Sequence, residues 1–175
     1  MAGCPAGGPV DPHWQGRQLS GIVGVWRHDA TPLRVVRAAA APPAGSGLSF
    51  VVPGSDGATL WQARRLTLLS AGDLVLVDLD AAYDYRSRPG ALSAVQVDAR
   101  AVGLTAGQAG AVAPLLRTSA LHDLARDHVQ ALAAAVVSLA DVPALDDPVL
   151  DDLGAATVGL LSALLLSCAP DAAPR

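Results

Sequence analysis

Apolar residues follow two different patterns of spacing along this 175-residue chain, and the pattern changes near Asp98. Before that point, short apolar runs alternate with turn residues, as in chains built from many short strands. This pattern is typical of a β-barrel or a β-sandwich. The candidate strands cover residues 21–27, 33–37, 48–52, 58–62, 65–69, 74–79, 83–87 and 91–97.

The second half of the chain has helical periodicity. Residues 107–116 predict a weak helix, and Ser119 is a candidate N-cap for a long helix over residues 119–140. Another long helix is expected where Asp147 precedes Pro148, because aspartate caps a helix and proline fits its first position. Its apolar stripe recurs at spacings of three and four, and consists of Leu150, Leu153, Thr157, Leu160 and Leu164.

These patterns divide the chain into four segments. The glycine- and proline-rich residues 1–15 predict a flexible arm, and residues 16–98 predict a β-barrel. Residues 99–168 predict a helical dimerisation subdomain, and residues 169–175 a tail or truncated linker. The predicted fold class is α+β, an antiparallel barrel followed by an antiparallel helix pair. The stripe on the last helix could pack on the barrel or pair with a second copy.

Composition and charge exclude several classes of function. Apolar residues make up 51% of the chain, which excludes disorder of the whole. The net charge is −4 and the twelve arginines form no basic stripe, so we expect no direct DNA binding by this chain. Cys4 and Cys168 lie in opposite terminal segments. That placement favours a reducing compartment over a disulfide framework.

No stretch of the sequence predicts a membrane span. Residues 153–169 are seventeen uncharged positions, but the run is short and is interrupted by glycine, serine and threonine. It is expected to form a buried helix. The first residues lack the positive and apolar regions of a signal peptide. The sequence therefore predicts a cytoplasmic protein.

The sequence carries no recognisable catalytic or metal-binding motif. Nucleophile elbows, phosphate loops, dinucleotide fingerprints and zinc-protease motifs do not occur. His13 and His28 are far apart, and His122 and His128 are six positions apart, too far to share a helix face as metal ligands. We therefore expect no catalytic residue, no metal and no cofactor.

The few aromatic residues are the best candidates for a binding site. Barrels that hold a small ligand line their interior with large apolar side chains and a few polar tips. The alternative is that these side chains only fill the core. The predicted ligand-pocket residues are Trp26, Trp61, Tyr83 and Tyr85.

One stretch resembles a known family. Gly72-Asp73 predicts a tight turn, an apolar run follows at residues 74–79, and Tyr83 comes next. With residues 48–52 and 65–71, this order resembles the N-terminal sensor domain of AraC-type transcription regulators, in the actinobacterial style, over about residues 20–167. In metal-binding barrels of the cupin type a histidine follows this strand. Tyr83 stands there instead, which predicts a barrel without a metal.

The resemblance implies a cupin-like, jelly-roll barrel that senses a small-molecule effector, a helix pair that forms a homodimer, and a C-terminal helix-turn-helix module. The sequence departs from the family in three places. It stops at Arg175, where the DNA-binding module would begin. Residues 53–69 are shortened, with Gln62-Ala63-Arg64 in place of a glycine-containing turn. Ala81-Ala82 replaces a proline.

The favoured function is thus a sensing and dimerisation domain without its own DNA-binding module, and not an enzyme. Two alternatives are consistent with the sequence. A metal-free cupin-like enzyme would pair Tyr83 with Asp78 or Asp84 as acid and base, although adjacent strand residues point to opposite faces. A stand-alone partner would instead titrate full-length AraC-type regulators by forming mixed dimers.

Overall fold

The structure is a computed structural model that describes most of the chain. The predicted tail, the Asp147 cap and the predicted arm up to residue 13 lie outside the described residues. So do Cys4 and His13. The described residues are 14–29, 31–38, 47–104, 108–138 and 148–168.

Nine strands in the described part of the chain form two antiparallel sheets. The five-stranded sheet has the order β1-β2-β9-β4-β7 and the four-stranded sheet has the order β3-β8-β5-β6. In chain order the strands are β1 (Trp14–Ser20), β2 (Val23–His28), β3 (Leu33–Arg37), β4 (Gly47–Pro53), β5 (Ala58–Gln62), β6 (Arg65–Leu69), β7 (Val75–Asp78), β8 (Tyr83–Ser87) and β9 (Leu92–Asp98).

The helices follow the strands and pack on the outer face of the five-stranded sheet. The short α1 (Ala109–Val112) continues into a 3₁₀ helix (Ala113–Thr118). The long helices are α2 (His122–Ser138), which contacts β2 and β9, and α3 (Pro148–Cys168), which contacts β1. The Ser119 hydroxyl accepts a hydrogen bond from the Leu121 N–H at 3.0 Å, as expected of a residue that starts a helix.

The five-stranded sheet separates two apolar cores. Phe50 and Val95 belong to the core shared with the helices, whereas Val51 and Ala94 belong to the core between the two sheets. Successive strand residues point to opposite faces, so a sheet covered on both faces needs apolar residues at nearly every position. This double burial explains the continuous apolar runs that the sequence shows in its first half.

The first strand was not predicted from the sequence. β1 begins at Trp14, so the barrel starts two residues before the predicted boundary, and Trp14 and Gln15 are not part of an arm. The strand lies at the edge of the sheet, and its polar residues interrupt the apolar pattern. Gly16 is required by packing, since a Cβ there would lie 2.0 Å from the Trp26 ring.

The unusual turn between β5 and β6 is a two-residue hairpin. Ala63 and Arg64 both have left-handed backbone angles, with φ of 52° and 62°. Such angles match the twist of the flanking strands but favour glycine or asparagine. The hairpin that the resemblance led us to expect is therefore formed, without the glycine.

Candidate functional site

A cavity of about 120 Å³ lies between the two sheets. Both sheets contribute to its wall, because every second residue along each strand faces inward. Most of the wall is apolar and includes Leu33, Val51, Val77 and Leu92. The remaining wall residues are Trp14, Val35, Leu79 and Ala94, with polar atoms from Ser49, Tyr83, Tyr85 and Gln96.

The two tyrosines give the cavity its phenol groups. Tyr85 is 4% exposed, and its hydroxyl oxygen has no hydrogen-bond partner among the described residues. Burial raises the pKa of Tyr85 to about 12, although the nearby Ser87 side chain acts in the opposite direction. Burial also raises the pKa of Tyr83, against the charge of Arg37. Both phenols are therefore neutral hydrogen-bond donors near pH 7.

The cavity wall offers no charged group. Its described residues include no aspartate, histidine, arginine or cysteine. Across the described ranges, no cluster of three histidine, cysteine or acidic residues is placed to hold a metal ion. The site therefore has the composition of a pocket for an uncharged organic molecule.

The structure separates the four predicted pocket residues. Tyr83 and Tyr85 lie in the cavity wall. Trp26 packs near the same core but over Gly16, outside the wall. Trp61 is 44% exposed and lies outside the cavity wall, contrary to the prediction. It stands opposite Asp84, whereas Leu60 and Gln62 stand opposite the inward-facing Tyr85 and Tyr83.

Among the wall residues missed from the sequence are two polar ones and one aromatic one. Ser49 and Gln96 are polar positions within the apolar runs of β4 and β9, and that interruption was a usable signal. Trp14 was assigned to the arm, so nothing in the sequence analysis placed it beside the pocket.

The aspartates near the cavity hold the end of the barrel together. The Gln62 side-chain amide donates to the Asp78 carbonyl at 2.7 Å and accepts from the Asp78 N–H at 3.0 Å, so it bridges the two sheets. The Asp80 carboxylate accepts from the Gly47 N–H at 3.1 Å. Burial, with the charges of Asp78 and Asp98, raises the pKa of Asp80 despite that bond.

The other candidate carboxylate, Asp84, faces away from the cavity. Asp84 forms ion pairs with Arg34 and Arg86, each at 2.9 Å, and their hydrogen bonds lower its pKa. It alternates along β8 with Tyr83 and Tyr85, which point inward. The pairing of Tyr83 with Asp84 as acid and base is thus not formed in this structure.

The predicted dimer stripe on α3 packs within the chain. Thr157 and Leu164 are 0% exposed, and Leu150, Leu153 and Leu160 are half-buried against the helical core. The structure therefore assigns Thr157 and Leu164 to packing within the chain, whereas a dimer contact by the half-buried Leu150, Leu153 and Leu160 stays a prediction. A fully buried side chain cannot meet a second copy without unfolding its own chain.

Thr157 also connects the two long helices. Its hydroxyl donates to the Leu153 carbonyl at 2.8 Å and lies 2.9 Å from His128 Nε2, which therefore donates to it. Burial lowers the pKa of His128, so this side chain is neutral at pH 7. His128 thus has a structural role in the described helices.

The opposite face of α3 is open. Exposed residues recur there at spacings of three and four: Asp152, Ala156, Gly159, Ala163 and Leu166. By length and composition α3 would also qualify as a membrane-crossing helix, and 33% of its apolar stretch is buried in the fold. A helix in the core of a water-soluble domain can meet the same criterion.

Comparison with known proteins identifies the fold. No family model and no curated protein matches the sequence. The crystal structure of the AraC-like transcriptional activator CuxR is similar over 91% of this chain, with a TM-score of 0.64 and 14% identity. This chain spans 57% of the length of CuxR. The fold is cupin-like.

Shorter matches cover about half of the chain. A cupin protein from Bacteroides fragilis is 15% identical over 50% of this chain and 73% of its own, with a TM-score of 0.36. A Cupin 2 conserved barrel domain protein from Salinispora arenicola is 13% identical over 53% of this chain and 82% of its own, also at 0.36. The predicted α+β class, a cupin-like barrel followed by helices, is confirmed.

Proposed function

We propose that this chain is the small-molecule-sensing and dimerisation domain of an AraC-type transcription regulator, acts in the cytoplasm and does not itself bind DNA. The observation that carries the proposal is that the five-stranded sheet has the cavity on one face and the helices on the other. The inner face of the five-stranded sheet lines the cavity opposite Tyr83 and Tyr85 of the other sheet, and its outer face carries the helical layer. Similarity to the AraC-like activator over both the barrel and the helices supports it.

The proposal assigns binding rather than catalysis to the cavity. General acid–base catalysis needs a proton donor and a base within hydrogen-bond reach of one substrate. The described wall supplies neutral phenols, a hydroxyl and an amide, but neither a carboxylate nor an imidazole. Asp84, the carboxylate next in sequence to both tyrosines, is held on the outer surface by two arginines.

We place the contact with the second copy on the outer face of α3. Ala156, Gly159 and Ala163 are small and exposed, so a second helix could approach closely along them. Two copies related by a twofold axis would use the same patch and bury it from both sides. Burial of Leu166, 73% exposed in the single chain, would add apolar contact.

Sedimentation equilibrium tests the dimer. At roughly tens of micromolar, above the dissociation constant of a specific pair with micromolar affinity, we expect a mass of twice 17.6 kDa. A mass of 17.6 kDa over that range would contradict the dimerisation half of the proposal. Leu68→Arg is the matched control, since Leu68 is 72% exposed on the sheet that carries no long helix, and this variant should remain dimeric.

A further inference from the structure

We propose that the cavity between the sheets takes a compact, uncharged, mainly apolar molecule with one oxygen that accepts a hydrogen bond, about the size of phenol. The inference rests on the proposed sensing function, and it names the chemical class of the effector. It follows from the volume of the cavity, from the unsatisfied hydroxyl in its wall and from the absence of charge along its described lining.

The volume limits the size of the molecule. A cavity of about 150 Å³ lined by leucine, isoleucine and phenylalanine stays dry and binds benzene. The present cavity has about 120 Å³, which matches a single six-membered ring or an open chain of similar bulk. A nucleotide or an oligosaccharide is larger than this volume and would extend out of it into solvent.

The unsatisfied hydroxyl fixes the position of the polar atom. The Tyr85 hydroxyl is buried, and the Ser87 side chain lies close enough to lower its pKa but forms no hydrogen bond of normal geometry with it, so this donor is poorly satisfied at a cost in free energy. The surrounding wall is apolar, with Val51 and Leu92 among its members. A ligand hydroxyl or carbonyl oxygen beside Tyr85 would accept this proton while its carbon skeleton contacts the apolar wall.

The electrostatics exclude a charged ligand. A carboxylate or ammonium group buried without a partner is strongly disfavoured, and the described lining holds no ion to pair with it. Arg37 pairs with Tyr83 in the strand register, and its charge acts on both Tyr83 and the Asp80 carboxylate. The Asp80 carboxylate therefore lies close enough to Arg37 to offset part of its charge.

Isothermal titration calorimetry with phenol, benzene and benzoate tests the class of ligand on the full chain. We expect saturable binding of one phenol per chain, weaker binding of benzene and none of benzoate. Tyr85→Phe should weaken phenol binding about tenfold, to the level of benzene, and leave benzene unchanged. Because this variant deletes an unpaired buried hydroxyl, the ligand-free protein should melt at a higher temperature.

Two further variants control for folding and for the place of binding. Trp61→Phe alters an aromatic residue on the outer surface and should leave phenol affinity unchanged. Ala94→Leu adds bulk inside the cavity and should abolish binding of both phenol and benzene. Equal phenol affinity for Tyr85→Phe and the parent chain, or benzoate binding tighter than phenol, would overturn the inference.

The outcomes separate this inference from the proposed function. A dimeric protein that binds neither phenol nor benzene overturns the ligand class alone. A monomeric protein that binds phenol with the Tyr85 dependence supports the ligand class and contradicts the dimerisation half of the proposed function.

Discussion

Leu164→Arg is expected to unfold the helical layer. Leu164 is 0% exposed and belongs to the core between α3 and the five-stranded sheet. The substitution removes a buried leucine, which alone costs about 2–5 kcal/mol when truncated, and adds a charge with no buried partner. Urea denaturation followed by circular dichroism should show a loss of about 4 kcal/mol or more, or no folded protein.

The contrary result is equally clear. If Leu164→Arg kept the urea midpoint and the helical signal of the parent chain, Leu164 would face solvent or a second copy. Leu124→Arg is the matched control, because Leu124 lies on the other long helix, α2, outside the proposed dimer contact, and is 57% exposed. That control should fold with nearly parental stability.

Gly159→Arg is expected to abolish dimerisation while the chain stays folded. A Cβ built at Gly159 meets no atom within 4 Å, so a side chain fits without any rearrangement of the monomer. Near a twofold axis the change would bring two like charges together, which should weaken the dimer about a hundredfold or more. Helix propensity predicts a monomer up to about 1 kcal/mol more stable than the parent monomer.

Sedimentation equilibrium and urea denaturation of the same sample separate the loss of the dimer from a change in the stability of the monomer. A second glycine of α3 provides a contrast, since a Cβ at Gly154 would lie 2.8 Å from the Ser20 hydroxyl oxygen. Gly154→Ala should therefore lower the free energy of unfolding of the monomer, whereas Gly159→Arg should not. If Gly159→Arg stays a dimer, the contact lies elsewhere, and the exposed Trp61, Leu66 and Leu68 of the four-stranded sheet become the first place to look.

The sequence predicted the strands of the barrel because most of them carry a pattern that packing requires. β4 and β9 are buried on both faces, so they appear as apolar runs bounded by turns. β1 lies at an edge and has polar residues at Gln15, Arg17 and Gln18. An edge strand with a polar face leaves no such run, which is why the prediction missed it.

The site was predictable only in part because residue spacing does not define the buried face of a strand. Tyr83 and Tyr85 share a face by their spacing of two, and the structure places that face inward. Trp61 lies in a strand like the tyrosines, but the inward position beside it belongs to Gln62, whose amide bridges to Asp78. Which residues of β5 face inward is known only from the pairing of β5 with β8.

Helix α3 shows a related limit of sequence patterns. Its leucine stripe was the obvious apolar face, and the structure uses that face to pack on the barrel. Its alanine and glycine face gives a weaker apolar signal, yet that is the face left exposed. Spacing identifies a helix face but does not say whether the face packs within the chain or against a second copy.

A sensor requires that the cavity and the dimer contact influence each other, and the five-stranded sheet lies between them. The most direct test is the dimer dissociation constant measured by sedimentation with and without saturating phenol. Coupling between two sites typically changes an affinity by about 5- to 150-fold, and we expect a change of at least about fivefold. Identical dissociation constants with the cavity empty and with phenol bound would contradict a sensing role for this chain.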